Sequence, residues 1–301
     1  MPRLRFATRP SKLARWQSRS IQNALQQAWP GLRCTETVIR TEGDRVLDRP
    51  LPEIGGKGLF TQELENELLR GGVDAAVHSL KDLPVQLPAG LVVGLIPTRA
   101  EASDVLISPR GWTLESLPAG AIIGTSSVRR QAQLLAFRRD LQVRALRGNV
   151  DTRVRKVLEG QYDAIILAHA GLARLSLHEH ITQVIPLEIM LPAPGQGALA
   201  VQCRAQDADS QRYLSALEDP GTRGAVEAER AFLTALGGGC SLPVGAYAQK
   251  HKDAWRMRAV VASPDGEQIR RVQRVGEDPL LLAEELAREA IADGAMQVLH
   301  G

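Results

Sequence analysis

Two stretches of this chain run through the same order of elements. FATRPSKLARWQ (6–17) and IGTSSVRRQAQ (123–133) each pass from a short apolar strand through Thr and Ser to basic residues and a helix. VDAAVHSLKDL (73–83) and YDAIILAHAGLARL (162–175) each run from a strand into a polar or glycine elbow. Short β-branched runs that alternate with helical patterns restrict the fold to α/β with largely parallel sheets. Strands are predicted at 4–7, 35–39, 74–78, 121–127, 142–146 and 163–168. Helices are predicted from Ser11 to about Ala28, over 59–69 and 128–138, and after Asn149. The echo between the sets reads as two similar lobes facing one another. Small anions have a natural home there, beyond the carboxyl ends of strands and at helix N-termini.

Past Leu199 the pattern changes. A helix is predicted over 222–236, then a GGGCSLP loop, then alternating strands at 244–249, 255–263 and 267–275, the last two joined by a PDG turn at 264–266. A closing helix over 279–292 ends at Gly294, a suitable C-cap. This segment is expected to form a small α+β domain with an antiparallel sheet. At 301 residues and 44% hydrophobic the chain exceeds what one core serves, so two or three domains are expected. The aromatic share of 4% makes those cores aliphatic.

Charge is unevenly placed. Of 37 basic residues only six are lysine, and the formal net charge is +3. Between Arg129 and Arg155 eight arginines face only Asp140 and Asp151, a local excess of +6. Only Phe137 interleaves with these arginines, which argues against nucleic acid as the partner and for an acidic small molecule. Cys34, Cys203 and Cys240 lack CxxC spacing, so neither a disulfide framework nor a zinc ribbon is expected. His178 and His180 lack a third ligand at recognisable spacing, and no metal is expected. The charged N-terminal stretch has no apolar core and no run of 18 uncharged apolar residues occurs, which points to a cytoplasmic chain without a membrane span.

Three loops can carry chemistry. His78, Ser79, Lys81 and Asp82 follow a strand, and a carboxylate beside a lysine can act as general acid, base or counter-ion, although a capping Asp and a solvated Lys would look the same. Arg129 and Arg130 sit in the first turn of a helix that begins at Thr125, Ser126 and Ser127. Cations there oppose the helix dipole and cost stability unless an anion arrives. Arg147 and Arg153 add guanidinium forks suited to carboxylates. Cys240 lies in a glycine loop that allows close approach, yet most lone cysteines are inert and buried.

Taken together, ATRPS (7–11), GGKGLF (55–60), VHSLKDLP (77–84), GTSSVRRQ (124–131), LRGNVDTR (146–153), AGLARL (170–175), PGQGALAVQCR (194–204) and GGGCSLPVGAYA (237–248) resemble porphobilinogen deaminases, in order over nearly the whole chain. The resemblance implies a transferase that condenses four porphobilinogen molecules head to tail into hydroxymethylbilane, with release of ammonia. It implies two periplasmic-binding-protein-like (type II) α/β lobes around a cleft, 1–97 with 199–215 and 98–198, and a C-terminal domain over 216–301. It also implies a dipyrromethane cofactor joined by thioether to Cys240, porphobilinogen and the growing oligopyrrole as partners, and a monomer.

Residue by residue, the resemblance makes Asp82 the catalytic carboxylate, with Lys81 beside it. Asp82 would hydrogen-bond pyrrole N–H groups, stabilise positive charge as ammonia leaves, and handle the proton lost on rearomatisation. Lys81, Asp82, Thr125, Ser126, Ser127, Arg129, Arg130, Arg147 and Gly171 would hold the cofactor. Arg9, Ser11, Lys57, Phe60, Ser79, Arg153, Arg174 and Gln196 would bind substrate, with 42–60 as a lid. His169 within LAHAG and Asp151 within LRGNVDTR depart from the pattern without replacing a residue given a role. A solute receptor for a small polyanion would share the two-lobed cleft but would not need GGGC or a third domain.

Overall fold

A computed structural model describes residues 1–45, 58–238 and 242–300. The chain divides into two compact units, 1–99 with 198–223 and 100–197 with 224–301. In chain order the first unit opens with β1 (Arg3–Thr8), α1 (Lys12–Ala28), β2 (Arg33–Val38), α2 (Glu42–Arg45), α3 (Gln62–Leu69), β3 (Ala75–Ser79) and β4 (Leu91–Leu95). The second unit follows with β5 (Asp104–Ile107), β6 (Ile122–Gly124), α4 (Val128–Phe137), β7 (Gln142–Arg144), α5 (Val150–Leu158), β8 (Ala164–Ala168), α6 (His169–Arg174) and β9 (Gln183–Val184). The chain then returns to the first unit through β10 (Leu199–Arg204) and α7 (Ala208–Leu214).

Both sheets have one strand order. The first runs β2-β1-β3-β10-β4 and the second β7-β6-β8-β5-β9. In each, the second strand is parallel to both neighbours, as β1 is to β2 and β3 and β6 is to β7 and β8. The fourth strand is antiparallel to both of its neighbours: β10 to β3 and β4, β5 to β8 and β9. These inserted strands are the first that the chain makes after its first two crossings between units, β5 after 99/100 and β10 after 197/198. Two such mixed sheets are the type II periplasmic-binding-like arrangement, and they correct the expectation of largely parallel sheets. β5 is wholly buried and β10 is buried except for Arg204, so neither carries an alternation that would reveal its direction.

Helix starts follow their caps. Ser11 caps α1 by accepting from Ala14 N, Ser127 caps α4 by accepting from Arg130 N, and Asp207 caps α7 by accepting from Ser210 N. On one face of the first sheet Leu4, Phe6, Val77 and Val201 pack with Ile21 and Leu25 of α1. On the other face Ala7 and Ala76 pack with Leu64 and Leu68 of α3, as strand alternation requires. Phe6 is fully buried. Phe6→Ala should therefore cost about 3–5 kcal/mol, read as a fall in the urea midpoint without change in m.

α8 (Pro220–Ala235) begins in the last residues of the first unit and continues into the second, where β11 (Val244–His251), β12 (Ala254–Ala262) and β13 (Ile269–Gly276), an antiparallel sheet in that order, are followed by α9 (Pro279–Ala292) and α10 (Ala295–His300). The predicted closing helix matches α9 end to end. This sheet meets the 186–192 segment of its own unit: Ala246 N donates to Pro192 O at 3.0 Å, and Arg258 pairs with Glu188 at 2.9 Å. Arg271 donates to Ile189 O at 2.9 Å. No helix among the described residues is long and apolar enough to cross a membrane.

Candidate functional site

The predicted site residues of the first unit gather at one edge of its sheet, because β1 and β3 are parallel and end together. Arg9 and Ser11 follow β1, while Ser79, Lys81 and Asp82 end β3 and form the 3-10 turn Leu80–Asp82. That turn is tied back by Leu80 N donating to Ala198 O at 3.1 Å and Leu83 N to Leu80 O at 3.1 Å. Asp82 is exposed and Lys81 is half-buried. Ser79 Oγ accepts from Gln17 Nε2 at 2.9 Å, which docks the turn on α1. The guanidinium of Arg9 is paired with Asp44 and stands 4.1 Å from the centre of the Phe60 ring. Ser11 spends its hydroxyl on the α1 cap.

His78, just before this turn, is buried, and its Nε2 has no hydrogen-bond partner among the described residues. Burial and the Arg9 cation push the imidazole down to about 4, and Gln202 only partly opposes them. The unfolded imidazole takes its proton near 6.5, so between about 4 and 6.5 the unfolded chain binds more protons and acidification lowers stability. The loss attributable to His78 should be about 2–3 kcal/mol across that window. Urea titrations at a series of pH values check it: His78→Gln should flatten the slope there, and an unchanged slope would exclude the assignment.

The second unit repeats the plan. β6 ends at Gly124 and delivers Thr125, Ser126 and Ser127; β7 is followed by Arg147, and β8 by His169. Thr125 is buried, and its hydroxyl accepts from Ser127 N at 3.2 Å. Ser126 Oγ exchanges hydrogen bonds with Leu146, donating to its O at 2.9 Å and accepting from its N at 3.0 Å. Arg153 Nε donates to Gly148 O at 2.7 Å. Arg147 has a buried Nη1 without a hydrogen-bond partner among the described residues. Gly171 is buried in α6. At the end of α6, burial pushes the Arg174 guanidinium down to about 10, and its Nη2 donates to Gly197 O at 2.7 Å.

Arg129 and Arg130 are buried, and the anion that the opposed helix dipole called for is the chain's own Asp104. Arg129 Nη1 lies 2.8 Å from Asp104 Oδ2, and Arg130 Nη2 lies 2.7 Å from Oδ1. Burial alone would raise the Asp104 carboxyl, but the two guanidinia outweigh it and hold it well below the usual carboxylate range. Gln196, fully buried, donates to Asp104 Oδ1 at 2.9 Å and to Ala102 O at 2.7 Å. It is flanked by Gly195 and Gly197 at φ +75° and +86°. A Cβ on Gly197 would meet Ala100 O at 2.4 Å, so this turn requires glycine.

Asp104, Asp44 and Gln17 are bonded to predicted site residues and were not singled out by the sequence. Their partners lie 26, 35 and 62 positions away in the chain, so no local pattern marks them. Asp151 lies in the first turn of α5, where its Oδ1 accepts from Thr152 N at 3.0 Å. His169 is half-buried, its Nδ1 has no hydrogen-bond partner among the described residues, and its backbone N donates to Ser103 O at 3.1 Å. Cys240, Lys57 and most of the 42–60 segment lie outside the described residues. Among those described, no three His, Cys, Asp or Glu side chains are grouped to hold a metal ion.

Two family models cover almost the whole of this arrangement. Residues 4–212 match "Porphobilinogen deaminase, dipyromethane cofactor binding domain", and residues 224–292 match "Porphobilinogen deaminase, C-terminal domain". The chain belongs to the porphobilinogen deaminase family. The porphobilinogen deaminase of Brevibacillus brevis is 48% identical over 99% of this chain and 97% of its own length. Those of Maridesulfovibrio salexigens and Roseiflexus castenholzii are 46% and 48% identical, covering 99% of this chain and 98% and 99% of their own lengths. Among solved structures, the methionine-binding protein MetQ aligns at 12% identity over 73% of this chain and 92% of its own, with a TM-score of 0.45.

Porphobilinogen deaminases of this family carry a dipyrromethane group, and the second unit can be tested for fit to it. Buried Arg129 Nε and Arg147 Nη1 lack hydrogen-bond partners among the described residues. Unsatisfied buried guanidinium donors are costly, and carboxylate oxygens satisfy them well. A cofactor that bears acetate and propionate side chains fits such a lining.

Proposed function

We propose that this chain acts as a hydroxymethylbilane synthase, a transferase of tetrapyrrole biosynthesis that joins four porphobilinogen units head to tail. In each condensation the aminomethyl C–N bond breaks and ammonia departs. A C–C bond then forms to a pyrrole α-carbon, which loses its proton. Release would break the C–C bond to the first-added methylene, with the proton of water returning to the freed α-carbon and its hydroxyl adding to the methylene. The observation that carries the reading is the edge at which β3 delivers Asp82, in a chain matched over 4–212 by the cofactor-binding family model.

Dipyrromethane, when bound, supplies the pyrrole α-carbon from which the chain grows. Cys240 is its attachment point, and Lys81, Asp82, Thr125, Ser126, Ser127, Arg129, Arg130, Arg147 and Gly171 hold it. Arg9, Ser11, Lys57, Phe60, Ser79, Arg153, Arg174 and Gln196 bind the carboxylates and ring of porphobilinogen and oligopyrrole. Asp82, exposed at the 3-10 turn, accepts pyrrole N–H bonds and offsets positive charge as ammonia leaves. It is also placed to take the proton of rearomatisation, with Lys81 as its neighbour. We read the C-terminal sheet as a domain of its own within the second unit, and the enzyme as a cytoplasmic monomer without a nucleic-acid partner. The solute-receptor alternative has no support in the family match.

The test is incubation of the purified chain with porphobilinogen while ammonia is followed and, after acid oxidation, uroporphyrin absorbance. One ammonia per porphobilinogen consumed, with uroporphyrin appearing, is the expected result. Equilibrium binding without ammonia would overturn the reading.

A further inference from the structure

Asp104 opens β5, and its side chain is wholly buried. No role is assigned to it by the motifs that identify the family, yet it organises the second unit's arginines. Its Oδ1 accepts from Arg130 Nε at 3.0 Å, Arg130 Nη2 at 2.7 Å and Gln196 Nε2 at 2.9 Å. Its Oδ2 lies 2.8 Å from Arg129 Nη1. The two guanidinia are further fixed by carbonyls: Arg130 Nη1 donates to Ile166 O at 3.0 Å and Arg129 Nη1 to Leu191 O at 2.6 Å. Gln133 Nε2 shares that Leu191 carbonyl at 3.0 Å.

Two cations and one anion leave this buried cluster with a net charge of +1. Like charges this close and this dry repel strongly, and a single carboxylate between them is what makes the side-by-side arrangement tenable. The remaining charge has a direction, because Arg129 Nε is buried without a hydrogen-bond partner among the described residues. The cluster is one anion short of neutral.

We propose that Asp104 is a positioning residue for the condensation: it holds the Arg129 and Arg130 guanidinia side by side, oriented so that a ligand carboxylate completes their charge, while Gln196 holds Asp104. The inference rests on the reading above that these arginines bind the carboxylates of cofactor and oligopyrrole. Asp104 then acts on the reaction through Arg129 and Arg130 and touches no reacting atom.

Asp104→Asn alone strands two buried cations, so the decisive comparison is made in the Arg130→Gln background. There, adding Asp104→Asn returns the cluster to its wild-type net charge of +1 but removes the carboxylate that orients Arg129. With both proteins shown to be folded by circular dichroism, the double variant should have a KM for porphobilinogen at least about tenfold above that of Arg130→Gln, with kcat changed far less. Intact-mass spectra should show a correspondingly smaller fraction of chains carrying the covalent cofactor. An Arg130→Gln, Asp104→Glu chain, which keeps the anion, should recover part of both losses. Equal KM and equal loading in the single and double variants would overturn the proposal, since Asp104 would then only neutralise charge. Wild-type turnover is measured alongside: its absence would sink the functional reading itself, whereas an active wild type with insensitive variants would sink only the role of Asp104.

Discussion

Asp82→Ala should lower kcat for porphobilinogen consumption by at least about 10³-fold, because one group serves charge stabilisation and proton transfer in the same step. The fold should be untouched. Asp82 is exposed in the 3-10 turn, and a surface substitution of this kind stays within about 0.5 kcal/mol of wild-type stability. Ammonia release and thermal unfolding measured on the same preparation separate the two effects. Asp82→Asn, which can still hydrogen-bond but neither carries charge nor takes a proton, should be nearly as inactive. A rate within tenfold of wild type in the Ala chain would remove Asp82 from the mechanism.

The second large effect is expected at Cys240. Cys240→Ala should abolish the covalent mass increment and the colour with Ehrlich's reagent, and turnover should fall to background with stability retained. Gly237 and Gly238, which lead into this loop, have φ of +96° and +57°, a left-handed backbone that glycine accepts without strain. Intact-mass analysis of wild type and variant decides the matter. A wild-type chain of unmodified mass that still turns over porphobilinogen would exclude a covalent cofactor at this residue.

Much of the architecture was legible because it is local. Alternation and capping located β11, β12 and β13 to within a few residues and matched α9 at both ends. β5 and β10 were not legible as antiparallel insertions, since each is short and, Arg204 apart, buried, and its partners come from other parts of the chain. Site chemistry divides in the same way. Asp82, Arg147 and the Thr125 to Ser127 turn could be named because motif and strand end coincide. His78 stood in the motif, but its proton-poor state comes from tertiary burial and the Arg9 cation, which the Gln202 side chain only partly opposes.

Arginine shows the division most clearly. Clustering between 129 and 155 pointed to a polycarboxylate, and helix-dipole reasoning required an anion near Arg129 and Arg130. Where that anion is found, the two levels part. Sequence alone determined that this chain belongs among α/β folds with strand-end sites, that its motifs are those of porphobilinogen deaminases, and that positive charge is concentrated in one stretch. Only the tertiary structure decided that Asp104 already takes up part of that charge, that Arg9 is paired with Asp44, and that one positive charge remains beside a buried Arg129 Nε without a hydrogen-bond partner among the described residues. The physical reason is range: periodicity and capping act over a few residues, whereas a buried charge is answered by whatever group the fold brings within hydrogen-bonding distance, 26 residues away in sequence for Asp104 and Arg130.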